Sequence, residues 1–263
     1  MTIEAPNIEQ PRLWRLYMLI TSRHLYAMLF HSADAAGLQL YTLDIDDDDN
    51  ADSITRRLEE TIYANEWLVN DFGRVSVIYD GSDYTVLPPA IAADTEPAEG
   101  WIRCQAGAVE TLDFKIPPSL SNFVMRTWPS ATIEHRVAPL SRYFYSKSRI
   151  GQAGKMYVNV SDRRTLDIIV YGRGGLRMLN TFTYTDTVDA VYFIMAAREL
   201  LQLDQMTDEL IIAGDRTLRD QLTETLRDLL AGVMPAIFPA TLYGSNECAS
   251  EAPFSLIVMP LCE

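Results

Sequence analysis

Residues Lys155–Gly214 read KMYVNVSDRRTLDIIVYGRGGLRMLNTFTYTDTVDAVYFIMAARELLQLDQMTDELIIAG, and this stretch decides the fold. Met156, Val158 and Val160 alternate with Tyr157, Asn159 and Ser161, the two-residue period of a half-buried strand. Ser161-Asp162-Arg163-Arg164 interrupts the run, and Leu166, Ile168 and Val170 resume it. Gly172-Arg173-Gly174-Gly175 supplies a hairpin turn, followed by a third strand over Leu176 to Thr183. Links this short make the three strands antiparallel neighbours, because a parallel return needs a long crossover. Thr185-Asp186 then offers caps for a helix whose face carries Val188, Val191, Tyr192 and Met195. Glu209 to Ala213 is a short apolar run ending at Gly214, read as a buried parallel strand, and a helix with Leu218, Leu222, Leu226 and Leu229 follows.

Working outward, the N-terminal half repeats this order. Leu13 to Ile20, His24 to His31 and Leu38 to Asp44 are three alternating runs, separated by Thr21-Ser22-Arg23 and Ser32 to Gly37. A helix from about Ser53 to Val69 and a strand from Arg74 to Tyr79 come next. Three antiparallel strands, a helix and a parallel strand, written twice, predict an α/β chain of two ribonuclease-H-like lobes, the plan of actin-like ATPases. The expected divisions are a flexible leader at 1–11, a first lobe at 12–150 and a second at 151–263, with Gly151-Gln152-Ala153-Gly154 as the boundary. Between these repeats, Ile91 to Gly100 reads as an exposed acidic loop, Val109 to Ile116 and Ala131 to Val137 as strands, and Ser119 to Thr127 and Pro139 to Tyr145 as helices. Gly232 to Pro239 is broken by prolines, and Phe254 to Met259 reads as a closing strand.

Composition narrows the function. A net charge of −14 opposes nucleic-acid binding, which needs a basic face, and docking on anionic lipid. Three cysteines, Cys104, Cys248 and Cys262, are odd in number and widely spaced, which fits a reducing compartment and offers no zinc pattern. Met1 to Gln10 lacks the apolar core of a signal peptide, and no apolar run is long enough to span a membrane. The expectation is a soluble cytoplasmic protein with no membrane insertion.

Several residues strengthen the fold reading. Leu179-Asn180-Thr181-Phe182, then Asp189, Tyr192 and Phe193, then Leu200-Leu201-Gln202-Leu203 and Leu210 to Gly214 resemble a bacterial family known only as domain-of-unknown-function family 3822. Ile133-Glu134-His135 and Leu261-Cys262-Glu263 are similar too. The resemblance covers nearly the whole chain and implies an actin-like ATPase fold, without an activity.

Such a fold implies three requirements for ATP and magnesium: an Asp-x-Gly-Ser/Thr type loop in the first hairpin of each lobe, and a glycine pair after a later strand. In the first lobe that hairpin is Leu19-Ile20-Thr21-Ser22-Arg23-His24, without aspartate or glycine. In the second, Asn159 stands where the aspartate is expected, and no glycine follows. Ala213-Gly214-Asp215 keeps one glycine of the pair. The pattern therefore points to a pseudo-ATPase: a non-catalytic protein-binding or scaffold protein whose partner is another protein. The alternative is a divergent ATP-binding switch or weak ATPase that uses Ser161, Asp162 and Gly214 in the interlobe cleft.

Other candidates have plainer readings. Within the acidic run Asp44 to Asp52, a calcium loop beginning at Asp48 would use Asn50, Asp52 and Glu59, but Ser53 stands where glycine is needed, so a solvated acidic loop before a helix fits better. His24, His31 and His135 have no metal spacing and read as structural. Asp167 could serve a two-metal nuclease, but its partners are missing, so it reads as an aspartate on a solvated or interlobe face. Gly172 to Gly175 joins strands and precedes no helix, so it is a turn and not a phosphate loop. Trp14, Trp67, Trp101 and Trp128 read mostly as core anchors, with any exposed member marking a partner surface.

Overall fold

Alternating apolar residues build two similar sheets. The computed structural model describes residues 6–31, 33–45, 51–150, 153–172, 174–236, 243, 249 and 251–262, with the backbone alone at 34–37 and 51–53. The described residues fall into two compact units, within Met1–Gln105, Thr111–Ala138 and Pro239–Ala252 for the first, and Ala106–Glu110, Pro139–Phe238 and Pro253–Glu263 for the second.

The first unit contains β1 (Trp14–Ile20), β2 (His24–His31), β3 (Asp34–Asp44), α1 (Ala51–Ala64), β4 (Arg74–Tyr79), β5 (Tyr84–Leu87), α2 (Pro89–Asp94), β6 (Trp101–Gln105), β7 (Thr111–Lys115), α3 (Pro118–Thr127) and β8 (Thr132–His135). After α4 (Val137–Ser148), the second has β9 (Lys155–Val160), β10 (Thr165–Gly172), β11 (Gly175–Thr183), α5 (Thr187–Leu200), β12 (Glu209–Gly214), α6 (Arg216–Arg227), β13 (Val233–Pro235) and α7 (Phe254–Ile257).

The sheet orders are β3-β2-β1-β4-β8 and β11-β10-β9-β12-β13, one plan used twice. In each, the first three strands are antiparallel, the fourth pairs parallel with the central strand and the fifth parallel with the fourth. Duplication extends to single hydrogen bonds. Asp80 N donates to Ile20 O and Asp215 N to Val160 O, each at 2.9 Å. Thr21 N donates to His24 O and Ser161 N to Thr165 O, each at 3.0 Å. The first unit adds a three-stranded sheet, β5-β7-β6, between β4 and β8.

In the second unit, Met156, Val158, Val160, Leu166, Ile168 and Val170 form one sheet face against Ala190, Ile194 and Ala197 of α5 and Leu222 and Leu226 of α6. Burying each large apolar side chain contributes about 1.5–3 kcal/mol, the main term holding these layers together. On the opposite face Tyr157 stacks on Phe144 with ring centroids 4.3 Å apart.

Some segments depart from the pattern. Phe254–Ile257 is a helical turn within the run Phe254 to Met259 that reads as a closing strand; Pro253 stands at its N-cap, and Ser255, Leu256 and Ile257 are buried. Local propensity yields to burial there. Pro89–Asp94 is helical rather than loop: a proline opens it and alanines fill it. Val233–Pro235 pairs with β12 despite its proline, as an edge strand permits. Trp101–Gln105, unread in the sequence, pairs with β7. Trp67 and Trp128 are buried and Trp14 and Trp101 half-buried, so none marks an exposed partner surface. Most of the acidic run lies outside the described residues.

Arg198 fixes the α5–β12 loop. It is 2 % exposed, and its Nη2 donates to Asp204 O at 2.7 Å and Asp208 O at 3.3 Å. Asp208 in turn accepts from Gly154 N at 2.7 Å and Asp204 N at 2.8 Å. Burial lowers the Arg198 pKa, partly offset by Asp208 and Asp204. Arg198→Ala should lose about 3 kcal/mol in urea unfolding, through lost charged hydrogen bonds and the cavity left behind.

Candidate phosphate-loop site

In open α/β sheets ligands gather beyond the carboxyl ends of the strands. In the first unit that end carries the β1–β2 loop. Thr21 closes it: its Oγ1 accepts from Arg23 N at 3.2 Å and His24 N at 2.9 Å, and donates to His24 O at 3.0 Å. In the second unit Ser161 opens the β9–β10 loop. Its Oγ lies 2.6 Å from Thr165 Oγ1 and accepts from Thr165 N at 3.4 Å, while Arg164 N donates to Ser161 O at 3.0 Å. Arg164 adopts a left-handed conformation, with φ of 56°, to make this turn.

A phosphate loop needs backbone N–H groups aimed at the ligand. Here the N–H groups of Thr21, Arg23 and His24, and of Ser161, Arg164 and Thr165, are directed to the loops' own oxygens. Two of the acids near them, Asp80 and Asp215, are committed as well. Asp80 pairs with Arg136 (Nε to Oδ1 2.8 Å, side chains 9 % and 6 % exposed). Asp215 caps α6 by accepting from Leu218 N at 2.9 Å. These six N–H groups and the Asp80 and Asp215 carboxylates are thus taken up by protein partners.

The sequence-predicted trio, Ser161, Asp162 and Gly214, is brought to one sheet end, since Gly214 registers with Val160. Asp162 is exposed. Gly214 has φ of 101°, and a Cβ there would lie 1.9 Å from Val160 O. The missing side chain serves the close approach of β12 to β9.

Asn159, where the fold family's aspartate is expected, donates through Nδ2 to Asp167 Oδ2 at 3.0 Å, and Thr181 Oγ1 donates to Asp167 Oδ1 at 2.7 Å. Asp167 is fully buried, so the solvated face expected for it is not what the structure has. The three polar residues sit in register across β9, β10 and β11 and satisfy one another. Gly172 pairs with Gly175, as a hairpin requires.

His135 is structural. Its Nε2 lies 3.0 Å from Gly81 O and its Nδ1 accepts from Val137 N at 3.4 Å. Burial, then the Arg136 charge, lower its pKa to about 3. A cavity of about 480 Å³ opens at the end of β4, lined by Tyr79, Gly81, Asp83, Glu99 and Lys115 among others. Two carboxylates against one amine make it a poor phosphate pocket. Among the described residues no group of three or more His, Cys, Asp or Glu is placed to hold a metal ion. Sequence reasoning missed the roles of Thr21 and Thr165, although hydroxyl residues open both hairpins in register.

A family model described as "Protein of unknown function (DUF3822)" matches residues 4–233. No curated protein matches the chain. Among solved structures, a Bacteroides thetaiotaomicron protein with actin-like ATPase fold and unknown function aligns with a TM-score of 0.74 at 20% identity, covering 89% of this chain and 94% of that one. The PilM-PilN type IV pilus biogenesis complex aligns with a TM-score of 0.50 at 12% identity, covering 96% and 100%. At these identities the likeness establishes the actin-like ATPase fold.

Proposed function

We propose that this chain, which belongs to the DUF3822 family of proteins of unknown function, is a non-catalytic protein-binding scaffold on a degenerate actin-like ATPase fold. The observation that carries the reading is the closing of both hairpin loops by Thr21 and Ser161, which occupies N–H groups a phosphate would need. Turning such donors to a phosphate would first cost their existing bonds. The same fold occurs in the PilM-PilN complex, an analogy for function through a protein partner. The net charge of −14 supports a protein partner over nucleic acid. Among the described residues no helix is long and apolar enough to cross a membrane; the cytoplasm is the compartment we propose.

Thermal melting with and without millimolar magnesium-ATP tests this. The scaffold reading expects no change in Tm. Ligand at 100 times its Kd stabilises by about 2.7 kcal/mol, a rise of several degrees for a chain this size. Ser161, Asp162 and Gly214 at one sheet end favour the second reading, a divergent ATP-binding switch. A rise in Tm that Asp162→Ala abolishes would establish that reading and end the first.

A further inference from the structure

The second sheet has a polar cavity of about 770 Å³ at the end away from the Ser161 loop, a size that suits a small molecule. It lies beside the start of β9 and the turn between β10 and β11, under the end of α4. Its charged lining is Arg149, Lys155, Arg177 and Asp208. That is a cationic excess on a chain whose net charge is −14. Most of these charges are already matched. Lys155 Nζ lies 3.3 Å from Glu209 Oε2. Asp208 accepts from the N–H groups of Gly154 and Asp204. Glu110, the acid nearest Gly175, accepts from Leu176 N and Val109 N, each at 3.3 Å.

The two exposed arginines are different. Among the described residues neither Arg149 nor Arg177 pairs with a carboxylate. Arg149 Nη1 donates to Tyr145 Oη at 3.2 Å, and Arg177 Nη2 donates to Leu201 O at 2.7 Å. Each bond takes a single N–H of the guanidinium fork and leaves the others for a ligand. Both forks are held in place. Arg149 Cζ lies 5.9 Å from the centre of the Tyr145 ring, which meets Tyr171 edge-on at 5.4 Å. Tyr171 is anchored by donating to Ser141 O at 2.9 Å. The bare Cα of Gly172 gives room to the Arg177 stem, because a Cβ there would lie 2.6 Å from Arg177 Cδ.

Arginine forks match carboxylate and phosphate alike, and the backbone decides between them. A phosphate site draws on free N–H groups and a helix N-terminus. Here the residues just beyond the C-terminus of α5, Gln202 and Leu203, line the cavity. Their N–H groups are bonded to Glu199 O and Arg198 O, and that of Gly154 to Asp208. The negative end of a helix dipole costs a dianionic phosphate more than a carboxylate.

We propose that this cavity binds a small dicarboxylate, with one carboxylate on Arg149 and the other on Arg177. This goes beyond the scaffold reading and does not rest on it. Isothermal titration of the full chain with malonate, succinate and glutarate tests it, with propionate and inorganic phosphate for comparison. At least one dicarboxylate should bind saturably and about 10-fold or more tighter than propionate or phosphate. Arg149→Gln and Arg177→Gln change exposed positions, so each should leave the Tm without ligand unchanged and lower that affinity at least about 10-fold. Arg149→Lys keeps the charge and loses the fork, so it should weaken binding as well. The proposal is overturned if no dicarboxylate binds at about 10 mM, a concentration that nearly saturates even a site of ~1 mM Kd. Phosphate binding as tightly, or full affinity in Arg149→Lys or in both glutamine variants, overturns it equally. A diglutamate peptide that outbinds every free dicarboxylate would also overturn it, by moving the ligand to acidic side chains of a partner protein.

Discussion

Gly214→Val is expected to lower the unfolding free energy by about 4 kcal/mol or more, among the largest single-site losses in this chain. Its φ of 101° is one that L side chains rarely adopt, and its Cβ would meet Val160 O at 1.9 Å and Val160 N at 2.7 Å. Both obstacles are backbone, so no rotamer change relieves them. The strands would have to part at the place where Asp215 N donates to Val160 O. Gly174 is the control: nothing lies within 4 Å of its Cβ position, so Gly174→Ala should stay within about 0.5 kcal/mol of wild type. Urea unfolding of both variants measures the contrast. A Gly214→Val chain as stable as wild type would mean that β12 does not end against β9 as described.

Acid should destabilise the protein through His135. The neutral ring is satisfied on both nitrogens, donating to Gly81 O and accepting from Val137 N. It lies between aromatic neighbours, with centroids 4.7 Å from Tyr84 and 5.6 Å from Phe114. A proton on Nδ1 would face the Val137 N–H, next to the Arg136 charge. The unfolded chain takes up this proton near pH 6.5 and the folded chain only near pH 3. Protonation therefore favours the unfolded state. The contribution is intact above pH 6.5 and is lost as pH falls from 6.5 towards 3, by up to about 1.4 kcal/mol per pH unit. Urea unfolding of wild type and His135→Gln between pH 7 and pH 4 checks the slope. The variant is less stable at pH 7 and should lack this part of the acid loss; parallel profiles would contradict the assignment.

The sheets were legible because their periodicity is strong: Met156, Val158 and Val160 had to share a face, and the same order recurred at Trp14–Tyr79. The hairpin at Gly172–Gly175 followed from glycine alone. Phe254–Ile257 was not legible, because four residues carry too little pattern and burial outweighs their propensity. Asp167 misled for another reason. A carboxylate among Leu166, Ile168 and Ile169 reads as surface or site unless its cross-strand partners are known, and Asn159 and Thr181 become its neighbours only once the register is fixed. At the candidate site, the absence of the glycines and aspartates of a phosphate loop was plain in the sequence. The use of Thr21 and Ser161 to close the loops was not, since it depends on hydroxyl geometry within single turns.

The most direct measurement is an amide chemical-shift titration of the full chain with magnesium-ATP, followed at Arg23, His24, Arg164 and Thr165. With their N–H groups bonded inside the loops, these four signals should stay in place to millimolar nucleotide. A saturable movement of any of them, absent with magnesium alone, would contradict the account.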